Sequence, residues 1–135
     1  MNKLATLFKA LSDRNRLRIL SALLKHGELC ACQLTELIQV TGATASRHMG
    51  VLISSGLVDS RKDGRWVHYR IRREQADFTV LLGWIESQLS QDPNAMLDAK
   101  MLDEITSYEP EDLCRKQRGV ECCTGKTLTN QGDKL

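Results

Sequence analysis

Residues 28–55 carry the pattern that most restricts the fold of this chain. The apolar residues of the first part recur at helical spacing: Leu29, Leu34, Leu37 and Ile38. The apolar residues of the second part also recur at helical spacing: Ala45, Met49, Leu52 and Ile53. This periodicity predicts one helix over about 28–38 and a second over about 42–55. Thr41 is a typical N-cap and Gly56 is typical of the position after a helix end. The stretch therefore predicts two short helices joined by a tight turn, a helix-turn-helix unit.

The residues after this unit predict a β-hairpin with a basic tip. The segment LVDSRKDGRWVHYRI (57–71) contains two β-favouring runs around Asp63-Gly64, a strong hairpin signal. Three basic side chains flank the turn: Arg61, Lys62 and Arg65. A basic hairpin directly after a helix-turn-helix is typical of a wing, whose arginines and lysines contact DNA phosphates.

The second helix has the composition of a recognition helix. Short polar and basic side chains occupy its N-terminal half: Thr41, Thr44, Ser46, Arg47 and His48. In helix-turn-helix proteins this half meets base edges in the major groove. Residues 1–73 hold 13 Lys or Arg against 5 Asp or Glu, a balance of +8, whereas residues 74–135 hold 6 against 12, a balance of −6. The basic half predicts a polyanionic partner, here double-stranded DNA.

The other apolar stripes predict the overall organisation. They indicate further helices over about 3–11, 14–25, 73–90 and 96–107. The last two lie outside the winged unit, so we expect N- and C-terminal helices to pack in a two-fold homodimer. The fold class is therefore mainly α with a small β-hairpin wing (α+β). We predict a DNA-binding and dimerisation domain over 1–92, an additional helix within 93–108 and a flexible cysteine-containing tail over 109–135.

Hydropathy and cysteine usage indicate a cytoplasmic protein with reduced thiols. No stretch approaches the roughly 18–20 continuous apolar residues of a membrane span. The N-terminal segment is amphipathic and lacks the apolar run of a signal peptide. Five cysteines in such a chain favour metal ligation or redox sensing over a disulfide framework.

The cysteines form two clusters with the chemistry of a soft-ion site. Cys30 and Cys32 stand one residue apart, and the others lie in the tail: Cys114, Cys122 and Cys123. Thiolates select As(III), Sb(III), Cd, Pb, Cu(I) or Zn over Mg or Ca. Helical residues i and i+2 are about 200° apart, so one ion holds both sulfurs only if the first turn unwinds. Because this helix leads into the recognition helix, ligation is predicted to lower the affinity for DNA.

Three interpretations of the tail cysteines remain open. The tail thiols complete the Cys30–Cys32 site, from the same or the partner subunit. Alternatively they form a second site, since three sulfurs lie close together in the sequence. In the third interpretation they are idle.

Four stretches together resemble the ArsR/SmtB family of winged helix-turn-helix repressors. They are LFKALSDRNRLRIL (7–20), GELCACQLTELI (27–38), SRHMGVLISSGLV (46–58) and RKDGRWVHYRI (61–71), within a resemblance that covers about residues 4–90. In that family the run Glu-Leu-Cys-x-Cys marks members that respond to arsenite and antimonite.

The resemblance implies a dimeric repressor of a resistance operon that leaves its inverted-repeat operator when an inducer binds. The inducer would be As(III), Sb(III) or a methylated trivalent arsenical. It also implies that Ser46, Arg47 and His48 belong to the recognition motif. The chain departs from relatives at Thr35, where such members commonly have a third cysteine, and at Gly42, where they often have a polar residue.

Other functions predict different signals or partners. A thiol-redox repressor, or one that responds to Cd or Pb, would have the same fold. A winged helix used only for protein contacts would not retain DNA. A cysteine-nucleophile enzyme is not expected, because no histidine is placed as a base and no cofactor motif is present.

Overall fold

The computed structural model describes residues 1–74 and 76–117 of the chain. The helices and strands follow in this order: α1 (Asn2–Leu11), α2 (Arg14–His26), β1 (Glu28–Cys30), α3 (Ala31–Ile38), α4 (Gly42–Ser54), β2 (Val58–Asp63), β3 (Trp66–Ile71), α5 (Ala76–Leu89), α6 (Pro93–Ile105) and α7 (Pro110–Gln117). None of these helices is long and apolar enough to cross a bilayer.

Aliphatic side chains from α2, α3 and α4 form the centre of the core. The largest side chains with almost no exposure include Ile19, Leu20, Leu23, Leu34, Leu37, Leu52 and Leu57. Burial of one such side chain contributes about 1.5–3 kcal/mol. Except for Leu57, which lies between α4 and β2, these residues belong to helices whose apolar stripes the sequence predicts. The same residues therefore shape the helices and hold them together.

The helix-turn-helix forms as the sequence predicts. Gln39 follows α3 with a left-handed backbone (φ 54°), and the next helix starts only three residues later. The Thr41 hydroxyl accepts a hydrogen bond from the Thr44 backbone N–H at 3.2 Å, which confirms Thr41 as the N-cap of α4. A cap of this kind contributes about 1 kcal/mol to a helix.

The wing is one part of a three-stranded antiparallel sheet, in the order β1-β3-β2. Strands β2 and β3 form the expected hairpin, and Gly64 occupies the turn with a positive φ of 63°. The predicted helix over 28–38 is wrong for its first three residues, which form β1 opposite β3. So short a strand has no periodicity of its own, and its partner lies far along the chain.

The C-terminal helices pack on the helix-turn-helix unit. In α6, the Asp98 carboxylate accepts hydrogen bonds from Arg18 Nε at 2.8 Å and Arg18 Nη2 at 3.0 Å. Arg18 thus joins α2 to α6. Three apolar residues from these helices join the main core cluster: Leu102, Ile105 and Leu113.

The flexible tail predicted from residue 109 is wrong for residues 110–117, which form α7 against α3. Its sequence is polar and short, so propensity and periodicity alone did not indicate a helix. Leu113, which is 3% exposed, anchors α7 in the core. Cys122 and Cys123 lie outside the described residues.

Candidate functional site

The recognition helix α4 presents a polar surface opposite its buried face. Ala45, Met49 and Leu52 pack into the core, whereas Ser46 and Arg47 are exposed. The Thr41 hydroxyl also donates to the Thr44 hydroxyl at 3.0 Å, which fixes the first turn of the helix. The exposed face of α4 is therefore rigidly held and available to a partner.

His48 lies in the same helix but faces α2. Its side chain is 13% exposed, and its Nδ1 accepts a hydrogen bond from Arg16 Nη1 at 3.1 Å. The same guanidinium donates to the carbonyls of Ala10 at 2.8 Å and Lys9 at 3.1 Å. Arg16 thus joins the recognition helix to the end of α1. A lone arginine in a basic helix gave no signal of this role.

The wing arginines are paired with carboxylates. Arg61 donates from Nε and Nη2 to the two oxygens of Glu28, both at 2.8 Å. These bonds hold the pKa of the Glu28 carboxyl below its ordinary value. Arg65 lies 5.3 Å from the centre of the Trp66 ring and 3.7 Å from the Glu111 carboxylate. Lys62, on the same strand as Arg61, is exposed.

Two of the predicted thiol ligands are brought together. Cys32, in the first turn of α3, and Cys114 of α7 form a disulfide, with Cα atoms 5.9 Å apart. This spacing is ordinary for sulfurs in bonding contact. The prediction of reduced thiols is wrong for Cys32 and Cys114. Packing of α7 on α3 brings Cys114 against a residue 82 positions earlier in the chain.

Cys30 has a different position from the one predicted. It ends β1 and is the N-cap of α3, where its sulfur accepts from the Gln33 backbone N–H. Its own backbone N–H donates to Gln33 Oε1 at 2.9 Å. Cys30 therefore precedes the helix, and the geometric argument from helical residues i and i+2 does not apply. Cys30 therefore lies at the junction of β1 and α3.

Polar contacts fix α7 against α3. Gln117 Nε2 donates to the Cys32 carbonyl at 3.0 Å, and Lys116 Nζ lies 3.0 Å from Glu36 Oε2. Burial alone would raise the pKa of the Glu36 carboxyl, but hydrogen bonds from Lys116 and Gln117 lower it overall. The carboxylate thus keeps its charge and holds the helix that presents Cys114.

The described residues hold no preformed three-ligand site for a soft ion. Thr35 is 5% exposed and donates its hydroxyl to the Ala31 carbonyl at 2.7 Å. Within residues 1–74 and 76–117, no three Cys, His, Asp or Glu side chains form a metal-binding group. Reduction of the Cys32–Cys114 disulfide would give a pair of soft thiols, whose chemistry fits a thiophilic ion of low coordination number.

Helices α1 and α5 each carry exposed apolar side chains. Four large side chains on these helices are more than half exposed: Leu4 (56%), Phe8 (57%), Val80 (81%) and Trp84 (60%). Each pair stands four residues apart and so shares one helix face. Exposed apolar patches of this kind mark interaction surfaces.

Comparison with known proteins identifies the family. Residues 13–60 match the sequence profile described as bacterial regulatory protein, arsR family. An arsenical resistance operon repressor from Staphylococcus xylosus is 45% identical over 76 residues, 56% of this chain and 72% of that protein. This chain belongs to the arsR family. Membership in a family of regulatory proteins agrees with the expectation of a regulator rather than an enzyme.

Two further relatives have similar identities, and their names refer to resistance to different elements. A cadmium resistance transcriptional regulatory protein, CadC, from Listeria innocua is 48% identical over 65 residues, 48% of this chain and 55% of that protein. An arsenical resistance operon repressor from Escherichia coli is 46% identical over 65 residues, 48% of this chain and 56% of that protein. The chain therefore spans little more than half the length of these two relatives.

Solved structures confirm the winged helix-turn-helix fold. HlyU from Vibrio cholerae matches with a TM-score of 0.58 and 27% identity, over 67% of this chain and 95% of that one. The homodimeric winged helix-turn-helix DNA-binding domain of Mb0332 from Mycobacterium bovis matches with a TM-score of 0.57 and 29% identity, over 67% and 81%. The arsR-family resemblance and the predicted fold class are thus confirmed.

Proposed function

We propose that this chain is a metal- or metalloid-responsive transcriptional repressor that binds operator DNA as a homodimer. Its sensing site would be formed by Cys32 and Cys114, and its reading surface by α4 and the wing. The observation that carries the proposal is that the fold brings these two sulfurs within bonding distance, here as a disulfide, at the start of the helix that precedes the recognition helix. One relative is named for cadmium resistance, and another of similar identity is named for arsenical resistance. These names support a soft ion as the inducer but do not distinguish cadmium from arsenic.

The chemistry of ligation follows from the thiol pair. A low-molecular-weight thiol first reduces the Cys32–Cys114 disulfide to two thiols and is itself oxidised to a disulfide. Arsenite then binds the reduced pair: two As–S bonds replace two As–O bonds, and each departing hydroxide leaves as water with a thiol proton. Two sulfurs suffice for a monomethylated trivalent arsenical, while a third donor would come from Cys30, Cys122 or Cys123. Ligation would tighten the junction of α3 with α7 and so act on the helix next to the recognition helix.

The exposed apolar side chains of α1 and α5 support a dimer through these two helices. A second copy that covers Phe8 and Trp84 would remove large aromatic areas from water, which is the main stabilising term in association. A two-fold axis between these helices would also present two copies of α4 to successive major grooves, as inverted-repeat operators require. The named homodimeric state of the Mycobacterium bovis domain agrees with this arrangement.

Operator release tests the proposal. A duplex selected in vitro by the wild-type protein would be titrated with arsenite, antimonite, methylarsenite, cadmium and zinc, with anisotropy as the readout. Cys32→Ser and Cys114→Ser are expected to stay bound at ion concentrations that release wild type. The Cys122→Ser/Cys123→Ser variant is the matched control for the tail. If Cys114→Ser is released like wild type, Cys114 is not a ligand and the proposed site is wrong.

A redox-responsive repressor is the second candidate, favoured by the disulfide of Cys32 with Cys114. In this reaction peroxide takes two electrons and two protons from the thiols, which gives one S–S bond and two waters. Release of DNA by peroxide, and by none of the soft ions, would favour this function. Mass spectrometry would then find Cys32 and Cys114 in one linked peptide pair.

A further inference from the structure

Arg61, a predicted phosphate contact of the wing, is held by a bidentate partner. Its Nε and Nη2 atoms donate to the two Glu28 oxygens at 2.8 Å each. A carboxylate and a phosphate present similar oxygen pairs to a guanidinium fork, so both compete for the same donors. Arg61 and Glu28 side chains are 51% and 33% exposed, so a DNA phosphate can reach the pair.

We infer that Glu28 is an internal phosphate mimic that masks Arg61 and lowers the affinity of the wing for DNA. The inference rests on the proposed DNA-binding function and extends it to the regulation of the wing. While Glu28 holds the guanidinium, its Nε and Nη2 donors are occupied. Release of Glu28 returns them to the DNA.

The position of Glu28 links this mask to the thiols. Glu28 begins β1, and Cys30 ends the same three-residue strand and caps α3. The capping contacts with Gln33 make strand and helix one continuous segment, so a shift of the first turn of α3 moves the strand. The segment that senses the ligand therefore also carries the masking carboxylate.

The second wing arginine has a parallel arrangement. Arg65 lies 3.7 Å from Glu111, which stands three residues before Cys114 in α7. Both side chains are exposed, so this ion pair is weaker than the first. Each of these arginines thus faces a carboxylate within three residues of a cysteine. With Cys32 and Cys114 joined, both arginines are masked.

A double-mutant cycle tests the mask at Arg61. Affinity for the wild-type-selected duplex would be measured for wild type, Glu28→Gln, Arg61→Gln and the double variant. Glu28→Gln is expected to bind about two- to fivefold tighter, the scale of one exposed ion pair. In the Arg61→Gln background the same change is expected to have no effect, because the masked donor is gone.

The control separates a mask from a general loss of negative charge. Asp59→Asn removes a carboxylate from the same sheet, where it pairs with Arg70 at 3.6 Å. Its effect on affinity should be equal with and without Arg61. If Glu28→Gln behaves in this way, or leaves affinity unchanged, the inference is overturned. Unfolding midpoints equal to wild type would show that each variant is folded.

The thiol link has its own measurement. The increase in DNA affinity caused by Glu28→Gln is expected to be larger when mild oxidation has joined Cys32 to Cys114 than in the reduced protein. Equal gains in the two states would overturn the link. A wild-type protein that retains no duplex from the random library would overturn the proposed function itself, and the inference with it. If wild type binds DNA and Glu28→Gln binds it with the same affinity, only the inference that Glu28 masks Arg61 is overturned.

Discussion

Two arginine–carboxylate pairs in this protein have nearly the same geometry and different surroundings. Arg18 and Asp98 join α2 to α6 through bonds of 2.8 and 3.0 Å. Arg61 and Glu28 join the wing to β1 through two bonds of 2.8 Å. The Asp98 and Arg18 side chains are 10% and 29% exposed, whereas those of Glu28 and Arg61 are 33% and 51% exposed.

The difference shows that burial, rather than hydrogen-bond geometry, decides what such a pair can do. Loss of one partner from a buried pair leaves a desolvated charge, which is strongly destabilising. An exposed pair exchanges readily with water or with an incoming anion and contributes little to stability. The first pair therefore holds the fold, and the second can change with the bound partner.

The largest effect should come from Asp98→Asn. The substitution keeps the shape of the side chain but removes the charge that Arg18 faces, so we expect a loss of about 2–4 kcal/mol in the free energy of unfolding. Urea denaturation at fixed protein concentration measures it. Glu28→Gln serves as the control and should leave the urea midpoint close to wild type. An Asp98→Asn loss below about 0.5 kcal/mol would contradict the role of burial.

Arg16 lies between these two extremes. Its guanidinium donates to two carbonyls and to His48, so Arg16→Lys removes at least two hydrogen bonds that an ammonium cannot reproduce. We expect a loss of about 1–2 kcal/mol in stability, together with weaker DNA binding because α4 is less firmly held. Arg14→Lys, the same change at an exposed position in α2, should have neither effect. Weaker binding at unchanged stability would instead indicate that His48 or Arg16 contacts DNA.

The sequence predicted the parts of this protein that are encoded locally. The N-cap Thr41, the helix end at Gly56 and the hairpin around Gly64 all depend on residues within a few positions. The arginine pairs do not: Arg18 and Asp98 are 80 residues apart, and Arg61 and Glu28 are 33 apart. Charge counts do not indicate these pairs, because no pattern within one helix or strand indicates a partner in another.

The thiol site was predicted in composition but not in arrangement. The soft chemistry of Cys30 and Cys32 follows from residue type and spacing alone. Their positions depend on the three residues of β1, whose pairing with β3 is not local. The role of Cys114 depends on α7, a short polar helix stabilised by Leu113 and by contacts to Glu36. Both features arise from tertiary packing, which overrides the local signals on which sequence reasoning depends.

The contact of α7 with Glu36 predicts a pH dependence. The folded pKa of Glu36 is below its ordinary value of 4.5. The charged form is therefore favoured by folding, so this stabilisation is present above pH 4.5 and is lost as pH falls through the lower folded pKa. Reduced wild type should exceed Glu36→Gln in stability near neutral pH, and the difference should shrink in acid.

Urea midpoints of the two proteins across this pH range provide the measurement. Glu86→Gln, an exposed position on α5, removes the same charge away from α7 and is the matched control. A difference between wild type and Glu36→Gln that grows in acid would have the wrong sign for a lowered pKa. That outcome would mean that α7 is held by Leu113 and the thiols rather than by Glu36.

The smallest effect, and the sharpest test of the exposed pair, is expected from Lys62→Gln. Lys62 follows Arg61 in β2 and so points to the opposite face of the sheet from the Glu28 contact. Its phosphate contact would therefore be independent of the mask. Loss of one phosphate contact should weaken binding similarly for all DNA sequences and leave the stability of the protein unchanged. The slope of the logarithm of the binding constant against the logarithm of the salt concentration should fall in magnitude by about 0.9. In protein with Cys32 and Cys114 joined, Arg61→Gln should change this slope less than Lys62→Gln does, because Glu28 already occupies the arginine. Equal slopes for the two variants in that state would mean that Arg61 leaves Glu28 whenever DNA is bound, and an exposed carboxylate would then be too weak a competitor to regulate the wing.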